Sequence, residues 1–306
     1  MEQRVKKWSV SIGIPAFNEE ENIAYLLRDL LAQTESSYLL EKIYVYSDGS
    51  TDATESIVRS LESEKIELIV GPGRKGAAHG QNTIMTSAEG DVLVLLDADT
   101  EIRDKRFLEK LIEPIIQQEA DLTSVKHMPL PARTFFERTL ETSVLVKDII
   151  FESYNNGHNV YTCYGIARAF SKRLYKQMTF VNSVAEDAYS FLYCTYHGYS
   201  YRSVPEAVIY YRLPGNLCDH GKQSTRFFKG SGKFTDIFTT EFVQQATYIP
   251  CSAYMKALPG ILAVICKRPL TAFSYCILVV FFHIRALFGG ESPEMWAIAT
   301  SSKKLH

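Results

Sequence analysis

Asp97 and Asp99 stand one small residue apart at the end of Asp91-Val-Leu-Val-Leu-Leu-Asp97-Ala98-Asp99. Val92 to Leu96 is a short, bounded apolar run, the mark of a strand covered on both faces. Carboxylates beside such a strand are costly unless something pairs with them. Oxygen-only ligands of this kind suit a hard cation, Mn²⁺ or Mg²⁺, which usually also takes substrate phosphate oxygens. A strand cap or a solvated turn is the plain alternative for this segment alone.

Three further turns carry chemistry-capable side chains. Pro15-Ala16-Phe17-Asn18-Glu19 follows an apolar strand, Ser9–Ile14, which Pro15 is expected to end because proline cannot donate to a ladder. Ser47-Asp48-Gly49-Ser50-Thr51-Asp52 follows Ile43–Tyr46, and Gly71-Pro72-Gly73-Arg74-Lys75-Gly76 follows Ile66–Val70. Arg74-Lys75-Gly76 leads into a small-residue helix, whose free N–H groups favour anions, although a solvated basic turn has the same composition. Later, Glu186-Asp187 opens a helix expected to run to about His197. Acidic residues there either serve the helix dipole or do chemistry.

These turns need a scaffold that brings them together. Asn18 is a good N-cap, and Ile23, Leu26, Leu27, Leu30 and Leu31 define one apolar helical face. A second helix is expected from Thr51 or Asp52, and others over Leu108–Ile116 and residues 134–152. Leu122–Lys126, Tyr161–Phe170 and Glu206–Arg212 read as strands, and Gln223–Phe238 as a helix or loop-helix. Strands alternating with helices indicate βαβ units and a mainly parallel sheet. Right-handed crossovers then put the four strand-end turns on one edge, where α/β sheets bind ligands.

Composition narrows the class. The chain has 306 residues, 46% of them hydrophobic, with a net charge of −2, which gives no support for a nucleic-acid partner. Six cysteines show no paired metal-ligand spacing, and nothing before the first strand reads as a secretory signal; they are expected as reduced thiols in a cytoplasmic context.

Ile14-Pro15-Ala16-Phe17-Asn18-Glu19, Ser47–Asp52, Lys75-Gly76, Asp97-Ala98-Asp99, Glu186-Asp187 and Gln223-Ser-Thr-Arg226-Phe227, as an ordered set, resemble the inverting, family-2-type glycosyltransferases. The resemblance implies a GT-A fold, with a Rossmann-like, mainly parallel sheet flanked by helices. It implies that Pro15, Phe17, Asn18, Glu19, Asp48, Lys75 and Asp97 bind a nucleotide-diphosphate sugar. Asp48 would accept from a base N–H, Lys75 would meet the diphosphate, and Asp97 would face the ribose or the metal. Asp99, with Asp97, would hold the divalent cation, and His220 would either supply a third ligand, as happens in some relatives, or be a surface-loop histidine. Asp187 would be the general base, supported by Glu186, with Tyr164 and Gly165 lining the acceptor site. Gln223 and Arg226 would contact acceptor or diphosphate, and Phe227 replaces the family's usual Trp.

The expected organisation is a glycosyltransferase domain over 1–240, with a nucleotide-sugar half over about 1–125 and an acceptor half over about 126–240, then an apolar helical region over 241–306. Pro259–Cys266 and Pro269–Phe282 are apolar and separated by Lys267-Arg268. This region reads as a transmembrane or re-entrant helix, an in-plane helix with aromatic anchors, or a buried helix of a soluble fold. Membrane contact implies the cytoplasmic face of the cell membrane and a lipid-linked or cell-envelope glycan acceptor; a buried helix implies a cytoplasmic enzyme. The competing function readings are a nucleotidyltransferase of related fold and a non-catalytic membrane scaffold with a nucleotide pocket.

Overall fold

The computed structural model describes residues 7–181, 185–222, 231–287, 300–303 and 305. Strands are β1 (Trp8–Ala16), β2 (Tyr38–Ser47), β3 (Ile66–Val70), β4 (Val92–Leu96), β5 (Thr100–Glu101), β6 (Leu122–Pro129), β7 (Ala167–Ser171) and β8 (Tyr201–Tyr211). Helices are α1 (Ile23–Leu31), α2 (Thr54–Ser60), α3 (Ala77–Ser87), α4 (Phe107–Ile116), α5 (Phe135–Ser153), α6 (Lys172–Tyr175), α7 (Glu186–Tyr196), α8 (Thr240–Thr247), α9 (Cys251–Lys267) and α10 (Pro269–Leu287).

The strands form one eight-stranded sheet in the order β3-β2-β1-β4-β7-β6-β8-β5. β1 pairs in parallel with β2 and β4, and β2 with β3. β7 runs antiparallel between β4 and β6, while β6 and β8 are parallel. The sheet is therefore parallel where the first four turns lie and mixed beyond them. β4 shows why its sequence is continuously apolar. Val92, Val94 and Leu96 pack into a core shared with α1, α2 and α4, while Leu93 and Leu95 face the core of α3, α6 and α7.

Several expected boundaries move. β1 continues through Pro15, which pairs with Tyr46 at the strand's end. Asn18 does not cap a helix: its φ is +53°, and α1 begins five residues later, at Ile23, with Asn22 at its N-cap. α2 starts at Thr54. Tyr161–Phe170 is not one strand, because Val160–Thr162 forms a 3₁₀ turn and β7 begins only at Ala167. Residues 223–230 lie outside the described residues, and Gln223 and Arg226 with them.

α9 and α10 lie against α5. Ala253 and Ala257 are buried, and Gly260 packs so tightly on Ile149 that an added Cβ would lie 3.0 Å from its Cγ2. Thr271 bonds Thr142 at 2.8 Å, and Arg268 pairs with Glu141 at 2.7 Å. The inner face is thus mostly small or polar, with Phe282 also buried. The outer face carries Met255, Leu258, Leu262 and Ile265 on α9, and Leu270, Phe273, Ile277 and Val280 on α10, all exposed. That is the reverse of a helix docked on a soluble core.

Candidate active site

The carboxyl ends of β1, β2, β3 and β4 share one edge of the sheet, as their parallel registers require. Their turns are bonded to one another. The Asp48 N–H donates to the Ala16 carbonyl, and Gly71 N–H to the Ser47 carbonyl, both at 2.9 Å. Asn18 joins the first two turns: its Oδ1 accepts from Thr51 N–H at 2.8 Å, while its own N–H donates to Ser50 Oγ. A left-handed φ at Asn18 aims the amide side chain across to that loop, a conformation Asn tolerates better than most residues.

Asp48 is buried, and both of its oxygens are engaged. Oδ1 accepts from Lys75 N–H at 2.7 Å and Oδ2 from Gly76 N–H at 2.8 Å. The carboxylate therefore holds the third turn at the N-terminus of α3, where free amides and the dipole favour an anion. Each oxygen keeps lone-pair capacity for a further donor. Phe17 presents its ring on the same side, with the Arg74 guanidinium 4.4 Å from its centroid. Lys75 is exposed.

Glu19 is the electrostatic centre of the edge. Its side chain is buried, and burial first, then the charge of Asp99, pushes its carboxyl up to about 7. Lys303 and Asn22 pull the other way, Lys303 Nζ donating to Glu19 Oε1 at 2.5 Å. Glu19 and Asp99 are thus close enough to feel each other, which couples the first strand end to the fourth. Oxygen donors in mutual repulsion are the chemistry of a hard-cation site. Among the described residues no group of three potential metal-ligating side chains forms. Asp97 and Asp99 would hold such a cation with phosphate oxygens and water completing its shell. His220 sits elsewhere, edge-on between Phe136 and Phe282, and burial together with Lys147 pulls its pKa down to about 4.

Asp187 joins this edge through the two residues just before β7. Asp97 N–H donates to the Ile166 carbonyl at 3.0 Å, and the next residue back, Gly165, packs on Asp187. A Cβ at position 165 would lie 3.3 Å from Asp187 Cβ, so glycine is what allows the approach. Asp187 Oδ1 accepts from Ala188 N–H at 2.8 Å in the first turn of α7. Glu186 is buried, and its carbonyl accepts from Arg168 Nη1 at 2.7 Å.

Arg168 is the side chain behind this pair that the motif reading missed. It is fully buried on β7, bonds Ser190 Oγ, and lies 5.5 Å from the Phe180 ring. A single arginine within Ala167-Arg-Ala-Phe170 was the available signal. On the other side of Gly165, Tyr164 lines a cavity of about 380 Å³ with Asp148, Glu152, Lys126, His158 and Glu206. Tyr164 donates to Asp148 Oδ1 at 3.0 Å and packs at a tilt on the His127 ring, centroids 3.7 Å apart.

Sheet and strand-end site define a GT-A architecture, and comparison with a solved structure agrees. The mannosyltransferase PcManGT of Pyrobaculum calidifontis, in complex with GDP-Man and Mn²⁺, superposes with a TM-score of 0.64 over 92% of this chain and 81% of that one. At 18% identity the likeness is one of fold. The model of the family described as glycosyl transferase family 2 matches residues 11–179, and the chain belongs to that family. Among curated relatives, the Escherichia coli UDP-Glc:alpha-D-GlcNAc-diphosphoundecaprenol beta-1,3-glucosyltransferase WfgD is 32% identical over 90 residues, 29% of this chain and 34% of its own length. A Staphylococcus aureus 4,4'-diaponeurosporenoate glycosyltransferase is 27% identical over 172 residues, 55% of this chain and 45% of its own length. The chain spans between about a third and just under half of the curated relatives it matches.

Proposed function

We propose that the chain is a metal-dependent inverting glycosyltransferase that moves a hexose from a nucleotide-diphosphate sugar to a hydroxyl of a lipid-linked or cell-envelope glycan acceptor. The observation that carries this reading is the link from Asp97 N–H through Ile166 and Gly165 to Asp187, which sets a carboxylate beside the candidate donor edge. Phe17 offers a ring for the base, Asp48 an acceptor, and the Gly76 end of α3 a place for phosphate charge. A cation at Asp97 and Asp99, Mn²⁺ or Mg²⁺, would neutralise charge on the departing nucleoside diphosphate. Asp187 takes the proton from the acceptor hydroxyl as that oxygen attacks the anomeric carbon. One displacement on the face opposite the leaving group inverts the configuration.

The outer faces of α9 and α10 support a membrane location. Large apolar side chains in helical register, with Arg268 turned inward to Glu141, suit a bilayer surface on the cytoplasmic side. The stretch Thr240–Lys267 is also long and apolar enough to cross a membrane by length and composition. The names of WfgD and the diaponeurosporenoate enzyme are consistent with an acceptor of that setting.

A panel of nucleotide sugars with Mn²⁺ or Mg²⁺, scored by release of nucleoside diphosphate, tests the reading, with Asp99→Ala as control. Release that the wild type shows and the variant lacks is expected. Identical release by both overturns the metal assignment. Release of pyrophosphate from a nucleoside triphosphate and a sugar phosphate identifies nucleotidyl transfer instead.

A further inference from the structure

We propose that Lys303 is a built-in occupant of the nucleotide cleft, and that a donor nucleotide binds only by displacing it. The inference rests on the donor-site reading above. Lys303 Nζ donates to the Phe17 carbonyl at 2.5 Å, to the Asn18 carbonyl at 3.1 Å and to Glu19 Oε1 at 2.5 Å. These are three acceptors of the turn assigned to the nucleotide, and three is the full donor capacity of an ammonium. The ammonium also lies 5.9 Å from the Phe17 ring centroid. A nucleoside using this turn and Lys303 compete for the same atoms.

The segment that delivers Lys303 is seated on both sides. Upstream, Ser301 N–H donates to Asp219 Oδ2 and Ser301 Oγ accepts from Gly215 N–H, each at 3.0 Å. Asn22 Nδ2 donates to the Lys303 carbonyl. Two residues further on, the Leu305 carbonyl accepts from Arg133 Nη2 at 3.2 Å and from Arg212 Nη2 at 3.1 Å, and Leu305 is buried. Ser302 is buried too. The contacts therefore fix a specific pose and are not those of a lysine lying loosely on the surface.

Charge explains why a lysine serves. Glu19 and Asp99 repel each other at the strand edge, and a single positive charge between the first turn and the segment relieves that repulsion. A divalent cation held with the nucleotide would bring positive charge to the same edge, so the ammonium would become redundant when the donor arrives. The rest of the cleft is likewise satisfied from within: Asp48 by the amides of Lys75 and Gly76, and the Phe17 ring by Arg74. Lys303 differs from these because it comes from 285 residues away in the chain.

If the closed pose holds about nine-tenths of the free protein, removing the ammonium tightens apparent nucleotide binding about tenfold. Titration calorimetry with UDP and with GDP, each with Mn²⁺, compares wild type, Lys303→Ala and Lys303→Arg. The expected result is tighter binding by Lys303→Ala and near-wild-type binding by Lys303→Arg. Equal or weaker binding by Lys303→Ala overturns the proposal and makes Lys303 a structural or donor-binding residue. Binding of neither nucleotide by any of the three proteins overturns the donor-site reading itself. Should Lys303→Ala fail to fold, hydrogen exchange on the wild type decides. Nucleotide must speed exchange at the amides of Ser301, Ser302 and Lys303, and unchanged or slower exchange refutes displacement.

Discussion

Replacing Glu19 with Gln tests which force governs the strand edge. Burial and the Asp99 charge raise the Glu19 carboxyl from the ordinary 4.5 to about 7, against the pull of Lys303 and Asn22. The folded chain therefore holds a proton that the unfolded chain has lost, through the window between those two values. Folding stability contributed by the protonated form is fully present below about pH 4.5 and is lost as pH rises through 7. A gap of about 2.5 pH units at about 1.4 kcal/mol each gives a loss of about 3.5 kcal/mol at most. The glutamine keeps the shape and the neutral state at every pH, so it lacks this component. Denaturant unfolding of both proteins from pH 4.5 to 8, without nucleotide or metal, measures the difference curve. The variant should gain on the wild type by about 2–3 kcal/mol between pH 5 and 8. A flat curve would show that Lys303 fully compensates for burial. A curve of opposite sign would show that the ion pair dominates, and the argument from repulsion between Glu19 and Asp99 would fall.

Other substitutions probe neighbouring parts of the site. Asp48→Asn presents an N–H₂ group to one of two backbone N–H donors; it should cost about 1–3 kcal/mol in denaturant unfolding and weaken nucleotide binding in the same protein. Gly165→Ala places a Cβ 3.3 Å from Asp187 Cβ, so turnover should fall while nucleotide affinity stays near wild type. Equal losses in both would mean that the substitution disturbs the fold rather than the base. Paired Leu270→Glu and Phe273→Glu substitutions on the exposed face of α10 should shift the protein from sedimenting with anionic lipid vesicles to the supernatant, with the fold intact by circular dichroism. Unchanged sedimentation would exclude that face from membrane contact.

Much of the strand-end edge was legible because it is local. A short apolar run ending in Asp97-Ala98-Asp99, two glycine-containing turns and a small-residue helix each follow from near-neighbour rules. Parallel pairing then brings those ends together without further information. What stayed closed depends on distant partners. Asn18 reads as an N-cap, yet tertiary bonds to Ser50 and Thr51 draw it into the left-handed region and delay α1 to Ile23. Tyr161–Phe170 has the composition of a strand, but a 3₁₀ turn held by the Asn159 side chain interrupts it. The antiparallel β7 between β4 and β6 has no signature in its own five residues. Lys303 is the extreme case: a lysine in Ser301-Ser-Lys-Lys-Leu305 looks like any solvated charge until its acceptors, almost 300 positions earlier, are in place.

The most direct test of the account compares Asp187→Asn with wild type, using whichever nucleotide sugar supports turnover. Binding is measured by calorimetry and transfer by single-turnover product formation, with the anomeric configuration read by NMR. The account predicts an inverted product from the wild type, donor affinity within about twofold in the variant, and a transfer rate lower by about a thousandfold, within the range for loss of a general base. Undiminished transfer by Asp187→Asn, or a product of retained configuration, would contradict it.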